Sequence, residues 1–140
     1  MSFDLESAYL DVDAIDAGRW VPLGADFPGV EINACGLSSE AAQELFDRLR
    51  REAPREDRLA NGLLSDAANE RIIRKVILEV CLKDWRGFTS NGKPVPYAKN
   101  TAEGLLTDRK ARLIANAIVG AIMAIDGTRI TVDVEGVEKN

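Results

Sequence analysis

Apolar residues recur every three to four positions in some stretches of the chain and every second position in others. The first spacing predicts helices and the second predicts strands. Ser38 is placed to cap the first helix, in which Leu45, Phe46 and Leu49 form an apolar face. Pro54 ends this helix or bends it. A polar connector with one short helical turn is predicted over residues 55–64.

A second and more apolar helix is predicted from Ser65 or Asp66 to Asp84. Leu78 and Leu82 widen its apolar surface beyond a single face. A helix this apolar is either central to a core or buried against another subunit. Its main stripe consists of Ile72, Ile73, Val76, Ile77, Val80 and Cys81.

The last long helix is predicted from Asp108 to about Ile125. Gly120 and the alanines near it are small, so another helix can approach closely. A short helix over residues 101–106 precedes it, with Asn100 as its cap and Glu103 in the position of a capping box. The predicted apolar face of the long helix contains Leu113, Ala117, Ile118, Ala121, Ile122 and Ile125.

Strands are predicted near both ends of the chain. Residues 19–23 and 30–35 flank a turn over residues 24–29, which favours a small hairpin. Residues 129–135 alternate apolar and polar side chains and predict a C-terminal strand that could join this hairpin. Residues 1–18 are acidic, and the pattern leaves open a weakly structured lead-in or a short amphipathic helix over residues 3–10.

These elements predict an α+β fold that is predominantly α-helical, with a peripheral N-terminal β-hairpin. Residues 19–135 form one helical domain in this interpretation, residues 1–18 form the acidic lead-in, and residues 136–140 form a loose tail. The 140 residues fit one domain.

The residue types argue against most catalytic chemistry. The chain has no histidine, which removes the commonest general base and the commonest metal ligand. Cys35 and Cys81 are far apart, flanked by apolar residues, and are expected to be buried, reduced thiols. The acids at positions 11, 13 and 16 lack the glycine and glutamate of a calcium loop. We therefore expect no enzyme activity, no cofactor and no metal site.

Charge and hydropathy also limit the kinds of partner that can be expected. The net charge is −5, and the arginines at positions 48–58 alternate with acids, so no nucleic-acid surface is predicted. The longest apolar run, residues 114–125, contains Asn116 and is too short to span a bilayer. Lys75 lies on the polar side of its helix and is expected to be exposed. The expectation is a protein without a membrane segment that acts in the cytoplasm.

The most distinctive stretch is residues 84–97, DWRGFTSNGKPVPY. It is predicted to join two apolar helices by way of an aromatic helix end, a glycine turn and a Pro-x-Pro-aromatic segment. Trp85 either seals the core or anchors a partner, and its position directly after an apolar helix favours the core.

The segment of residues 76–106, which contains this stretch, resembles the tail assembly chaperones of long-tailed, siphovirus-like bacteriophages and prophages. The opening Gly18-Arg19-Trp20-Val21-Pro22 is similar to the start of that family, whereas a C-terminal strand departs from it. The residues that carry the resemblance are Trp20, Trp85, Gly87, Gly92, Pro94, Val95, Pro96 and Tyr97, followed by Ala102, Glu103, Leu105 and Leu106.

The resemblance implies a non-enzymatic chaperone. Such proteins coat the tape measure protein, a long and largely helical rod, before tail tube subunits polymerise around it. They self-associate into rings or spirals and meet the tail tube protein. The expected location is the cytoplasm of the bacterial host, with the protein absent from the finished virion. Contact residues expected on the second and last long helices are Leu78, Leu82, Ile118 and Ile122.

Two alternatives remain at this point. One is another phage morphogenesis or adaptor protein, such as a tail completion subunit that stays in the virion. The other is a small enzyme that uses carboxylates alone, which would need two acids converging in a pocket. No pair of acids in the sequence stands out for that role.

Overall fold

The computed structural model describes residues 2–130 and shows a mainly helical α+β domain, as the sequence predicted. The helices are α1 (Val12–Ala17), α2 (Glu40–Glu52), α3 (Asp66–Val76), α4 (Lys99–Thr107) and α5 (Arg112–Asp126). The strands are β1 (Arg19–Pro22), β2 (Glu31–Ala34), β3 (Leu82–Arg86), β4 (Thr89–Ser90) and β5 (Lys93–Pro94). Short 3-10 turns occupy Leu5–Ala8, Arg55–Asp57 and Arg109–Ala111.

The predicted N-terminal hairpin is present and gains a third strand. β1 pairs antiparallel with β2, and β2 pairs antiparallel with β3, so β2 lies in the middle of the sheet. β4 and β5 form a separate two-stranded hairpin around Asn91 and Gly92, both of which have positive φ. The sheet and the helices enclose one core that includes Ile32, Ile77, Ile118 and Ile122.

The second helix ends earlier than predicted. α3 stops at Val76, a π-helical turn covers Ile77–Cys81, and the chain then enters β3 directly. Asp84 and Trp85 therefore lie in a strand and not at a helix end, which corrects the prediction. The backbone N–H of Leu82 donates to the Ile77 carbonyl to close the π-helical turn.

A register shift explains why this strand was predicted as helix. Ile32 faces Trp85 and Ala34 faces Leu82, so Lys83 is the extra residue of a bulge. The bulge puts Leu82 and Trp85 on the same buried face although they are three residues apart. That spacing is typical of a helix, and the sequence pattern therefore indicated one.

Helix caps also differ from the prediction. Ser39, not Ser38, caps α2 and accepts a hydrogen bond from the N–H of Ala42 at 3.3 Å. α4 begins after Ala98 without a side-chain cap, so Asn100 lies within the helix. α5 begins at Arg112, and Leu113 points outward with 73% of its surface exposed instead of joining the apolar face.

The stretch of residues 1–18, expected to be an acidic lead-in, contains the first 3-10 turn and α1, whose Ile15 is buried. Its backbone pairs with the chain after α5: the Asp11 N–H donates to the Thr128 carbonyl at 2.8 Å, and the Ile130 N–H donates to the Tyr9 carbonyl at 3.0 Å. The predicted C-terminal strand falls mostly on residues 131–135, which lie outside the described residues.

Candidate interaction surface

The aromatic residues of the distinctive stretch form a cluster inside the protein. Trp85 is 3% exposed, and its indole Nε1–H donates to the Val95 carbonyl at 2.9 Å. The rings of Phe88 and Tyr97 meet it edge-on, with centroids 5.3 and 4.9 Å away. The Tyr97 hydroxyl donates to the Leu82 carbonyl at 3.3 Å. These contacts fold residues 88–97 back over β3, so the cluster shapes the fold.

Two glycines of the same stretch have different roles. Gly87 has φ +98°, and an added Cβ would lie 2.2 Å from the carbonyl oxygen of Gly29. Gly92 has φ +80° in the β4–β5 turn, with open space around it. Pro94 and Pro96 are exposed beside this turn. Gly87 therefore permits a close backbone approach, whereas Gly92 serves only the turn.

Trp20 lies on β1 and is half-buried. The Arg86 guanidinium lies over the Trp20 ring, 4.1 Å from its centroid. The Arg86 Nε–H donates to the Glu31 carboxylate at 2.8 Å. This stacking links β1 to β3 across the surface of the central strand β2.

The two cysteines are buried free thiols, as expected. The Cys35 sulfur lies 3.6 Å from the Ser39 hydroxyl, and its thiol donates to the Val80 carbonyl at 3.6 Å. Contact with the Cys81 thiol lowers the pKa of Cys35, with a smaller contribution from Ser39. The same contact, together with burial, raises the pKa of Cys81. The Cys81 thiol donates to the Gly36 carbonyl at 3.6 Å.

The predicted contact residues differ in how far a partner can reach them. Leu82, Ile118 and Ile122 are 3%, 0% and 0% exposed and pack in the core. A partner could touch them only if the core opened. Leu78 is half-buried and lines a small cavity of about 180 Å³ beside α4. The apolar surface that a partner can reach lies elsewhere.

One accessible apolar surface runs along the outer side of α5. Leu113 and Met123 are 73% and 59% exposed, and Gly120 has nothing within 4 Å of an added Cβ. These residues and the exposed Asn116 recur at helical spacing on one side of the helix. We call Leu113, Asn116, Gly120 and Met123 the outer α5 face.

A second accessible feature is a groove of about 580 Å³ between α3 and α5. Ile73, Leu106, Ala115 and Val119 give it apolar walls, and all four are buried or half-buried. We call it the α3–α5 groove. Its polar rim consists of Glu70, Arg74, Asn116, Thr107, Asp108, Arg109 and Arg112.

The arginines of this rim differ in their partners. Arg74 pairs with Glu70 at 3.4 Å. Arg109 and Arg112 form no ion pair within 4.0 Å among the described residues. Sequence reasoning missed this groove, because its walls come from α3, the end of α4 and α5. The one available signal was the pair of arginines at the start of a long apolar helix.

Lys75 is exposed, as predicted. No group of three or more potential metal ligands occurs among residues 2–130. Within the same residues, no helix is both long and apolar enough to cross a membrane.

The fold and these surfaces define a small, mainly helical α+β domain with an apolar helix face and an arginine-rimmed groove. Residues 37–139 match the family model described as YdaY prophage protein, and the chain belongs to that family. It is therefore a phage or prophage protein. No curated protein and no solved structure matches the chain.

Proposed function

We propose that the protein is a non-enzymatic tail assembly chaperone that coats the tape measure protein and helps to recruit tail tube subunits. Membership of a prophage protein family supports a role in phage biology. The resemblance of residues 76–106 to tail assembly chaperones supports the specific role. The observation that carries the proposal is the outer α5 face, which exposes Leu113 and Met123 on either side of Asn116 and Gly120, on a helix whose opposite side belongs to the core.

The outer α5 face suits a helical partner. Leu113 and Met123 are ten positions apart, which is about 15 Å along a helix. Asn116 and Gly120 lie between them and are short enough for a second helix to approach closely. Methionine is unbranched and adapts to different neighbours. A row of this kind can hold apolar stripes of several sequences along a rod without demanding one exact motif.

The proposed mechanism is masking. Copies of the chaperone cover apolar stripes of the tape measure protein in the bacterial cytoplasm and reduce its aggregation. Tail tube subunits then replace them, and the chaperone does not enter the virion. Each contact is small, so binding depends on many copies acting together. Self-association of the chain is part of this proposal.

The test is co-expression of the tagged chain with the tape measure protein encoded near it. We expect the wild-type chain to keep the tape measure protein soluble and to co-purify with it. The double variant L113E/M123E should lose most of this activity, because two charges would enter an apolar contact. The matched control is L59E/L63E, which changes two leucines that are 53% and 64% exposed outside the outer α5 face.

Equal activity of L113E/M123E and the wild type would reject the outer α5 face. Failure of the wild-type chain to bind or solubilise the tape measure protein would reject the chaperone function. Recovery of the chain as a subunit of finished particles would favour a tail completion role instead.

A further inference from the structure

The N-terminal segment displays an unusual concentration of exposed apolar side chains. We call residues 3–12 the N-terminal segment. Five large hydrophobic residues within ten positions are between 44% and 72% exposed. A folded domain seldom leaves so many apolar side chains together in water without a partner. They are Phe3, Leu5, Tyr9, Leu10 and Val12.

The same region carries the excess negative charge of the chain. Residues 2–17 contain five acids and no lysine or arginine, and five is also the net negative charge of the whole protein. The remaining residues are therefore neutral in total. The acids are Asp4, Glu6, Asp11, Asp13 and Asp16.

The segment is held in place and is not a loose end. Asp4 accepts a hydrogen bond from the Glu6 N–H, and Asp11 caps α1 by accepting from the Ala14 N–H at 3.1 Å. The backbone bonds of Tyr9 and Asp11 to the chain after α5 fix it at the C-terminal end of that helix. Its apolar side chains are therefore presented to solvent in an ordered arrangement.

The α3–α5 groove has the complementary properties. Its walls are apolar, and its rim carries three arginines against two acids, Glu70 and Asp108. Arg74 pairs with Glu70, whereas Arg109 and Arg112 have no acidic partner within 4.0 Å among the described residues. An acidic peptide with apolar side chains would bury the walls and pair with these arginines. Residues 2–17 combine acids with apolar side chains and contain no lysine or arginine that the groove arginines would repel.

The two surfaces lie at opposite ends of α5. The groove is lined by α5 residues from Arg112 to Val119, in the first half of the helix, and by none of residues 3–12. The N-terminal segment is fixed to Thr128, just beyond the end of the helix. A 15-residue helix is about 22 Å long. In the observed conformation the segment therefore does not fill the groove of its own chain.

We propose that the N-terminal segment of one copy binds in the α3–α5 groove of a second copy. The contact joins two different surfaces, so each added copy leaves one groove and one segment free. Such a head-to-tail contact builds rings or spirals. This inference deepens the self-association within the proposed function, but its test needs no tape measure protein.

The experiment is sedimentation velocity of the full-length chain alone, over a range of concentrations and at two salt concentrations. The groove variant is R109E/R112E, and the segment variant is F3S/L5S. Each should weaken self-association by at least about tenfold, and higher salt should weaken that of the wild type. The control variant R55E/K93E makes the same change in charge at exposed positions outside the groove and should associate like the wild type.

Mixing the two variants tests the geometry directly. A groove variant keeps an intact segment, and a segment variant keeps an intact groove, so the mixture should form a one-to-one complex that grows no further. A wild-type chain that stays monomeric at all concentrations would overturn the inference. So would variants that assemble normally, or a mixture that stays monomeric while both variants keep wild-type melting temperatures.

These outcomes separate the two proposals. A chain that stays monomeric yet keeps the tape measure protein soluble would reject the head-to-tail contact and leave the chaperone function standing. A chain that assembles head to tail but never binds the tape measure protein would reject the chaperone function and leave the head-to-tail contact standing.

Discussion

Replacement of Trp85 by alanine removes the side chain on which residues 88–97 fold back. The indole is 3% exposed, donates to the Val95 carbonyl at 2.9 Å and meets the Phe88 and Tyr97 rings edge-on. The substitution therefore removes a buried apolar surface, one hydrogen bond and two ring contacts at once. The loop that carries the distinctive sequence would lose its attachment to β3.

The expected loss can be estimated from these contacts. A buried tryptophan removes roughly 150–250 Å² from water, which at about 25 cal/mol per Å² is about 4–6 kcal/mol. Partial collapse of the site reduces this value, and tryptophan-to-alanine changes in cores typically cost about 3–5 kcal/mol. We expect about 4 kcal/mol, a large share of the roughly 5–15 kcal/mol that stabilises a typical domain.

The assay is urea unfolding at neutral pH, followed by far-ultraviolet circular dichroism. The matched control is Trp20→Ala, which removes a half-buried ring under Arg86 and should cost only about 1 kcal/mol. Trp85→Phe should fall between the two, because it keeps a ring but leaves the Val95 carbonyl without its donor. A Trp85→Ala protein within about 1 kcal/mol of the wild type would refute this reasoning.

Three further predictions concern backbone and charge. Gly87→Ala should lower the free energy of unfolding by about 3 kcal/mol, because φ is +98° and the new Cβ would lie 2.2 Å from a carbonyl oxygen. Gly92→Ala has open space around the new Cβ and should lower it by only about 1 kcal/mol. Equal losses in thermal unfolding would contradict the close approach. Asp126→Ala removes two 2.8 Å hydrogen bonds to the segment before α2 and should cost about 1–2 kcal/mol by urea unfolding, and no change would show that they contribute nothing. The hydrogen bond from Lys99 lowers the pKa of Glu79. This pair therefore stabilises the fold at neutral pH and loses its effect as the pH falls through that lowered pKa. Glu79→Gln should remove this small loss of stability at acid pH, and an unchanged dependence of stability on pH would contradict the prediction.

The sequence predicted the fold class and the N-terminal hairpin because both depend on local patterns. The alternation in residues 30–33 and the turn at residues 24–29 are visible without tertiary information. The third strand was not predictable in this way. The bulge at Lys83 gave Leu82 and Trp85 a helix-like spacing, and only pairing with β2 decides that this stretch is extended.

Periodicity alone could not show which apolar residues lie in the core and which lie on the surface. Ile118 and Ile122 looked available to a partner because α5 is apolar on more than one side, but the structure buries both. Leu113 was predicted on the same apolar face as Ile118 and Ile122, but it is exposed. Which side of an apolar helix faces outward depends on the elements packed against it, and for α5 these include α4. The α3–α5 groove needs three separate elements and has no local signature.

The central claim is that this prophage protein is a chaperone that acts during tail assembly and then leaves. The most direct measurement is its copy number, by quantitative mass spectrometry, in tape-measure-containing assembly intermediates and in purified particles from the same induced cells. The account predicts many copies bound to the tape measure protein in the intermediates and none in the particles. A fixed number of copies in the particles, or no association with the tape measure protein at any stage, would contradict it.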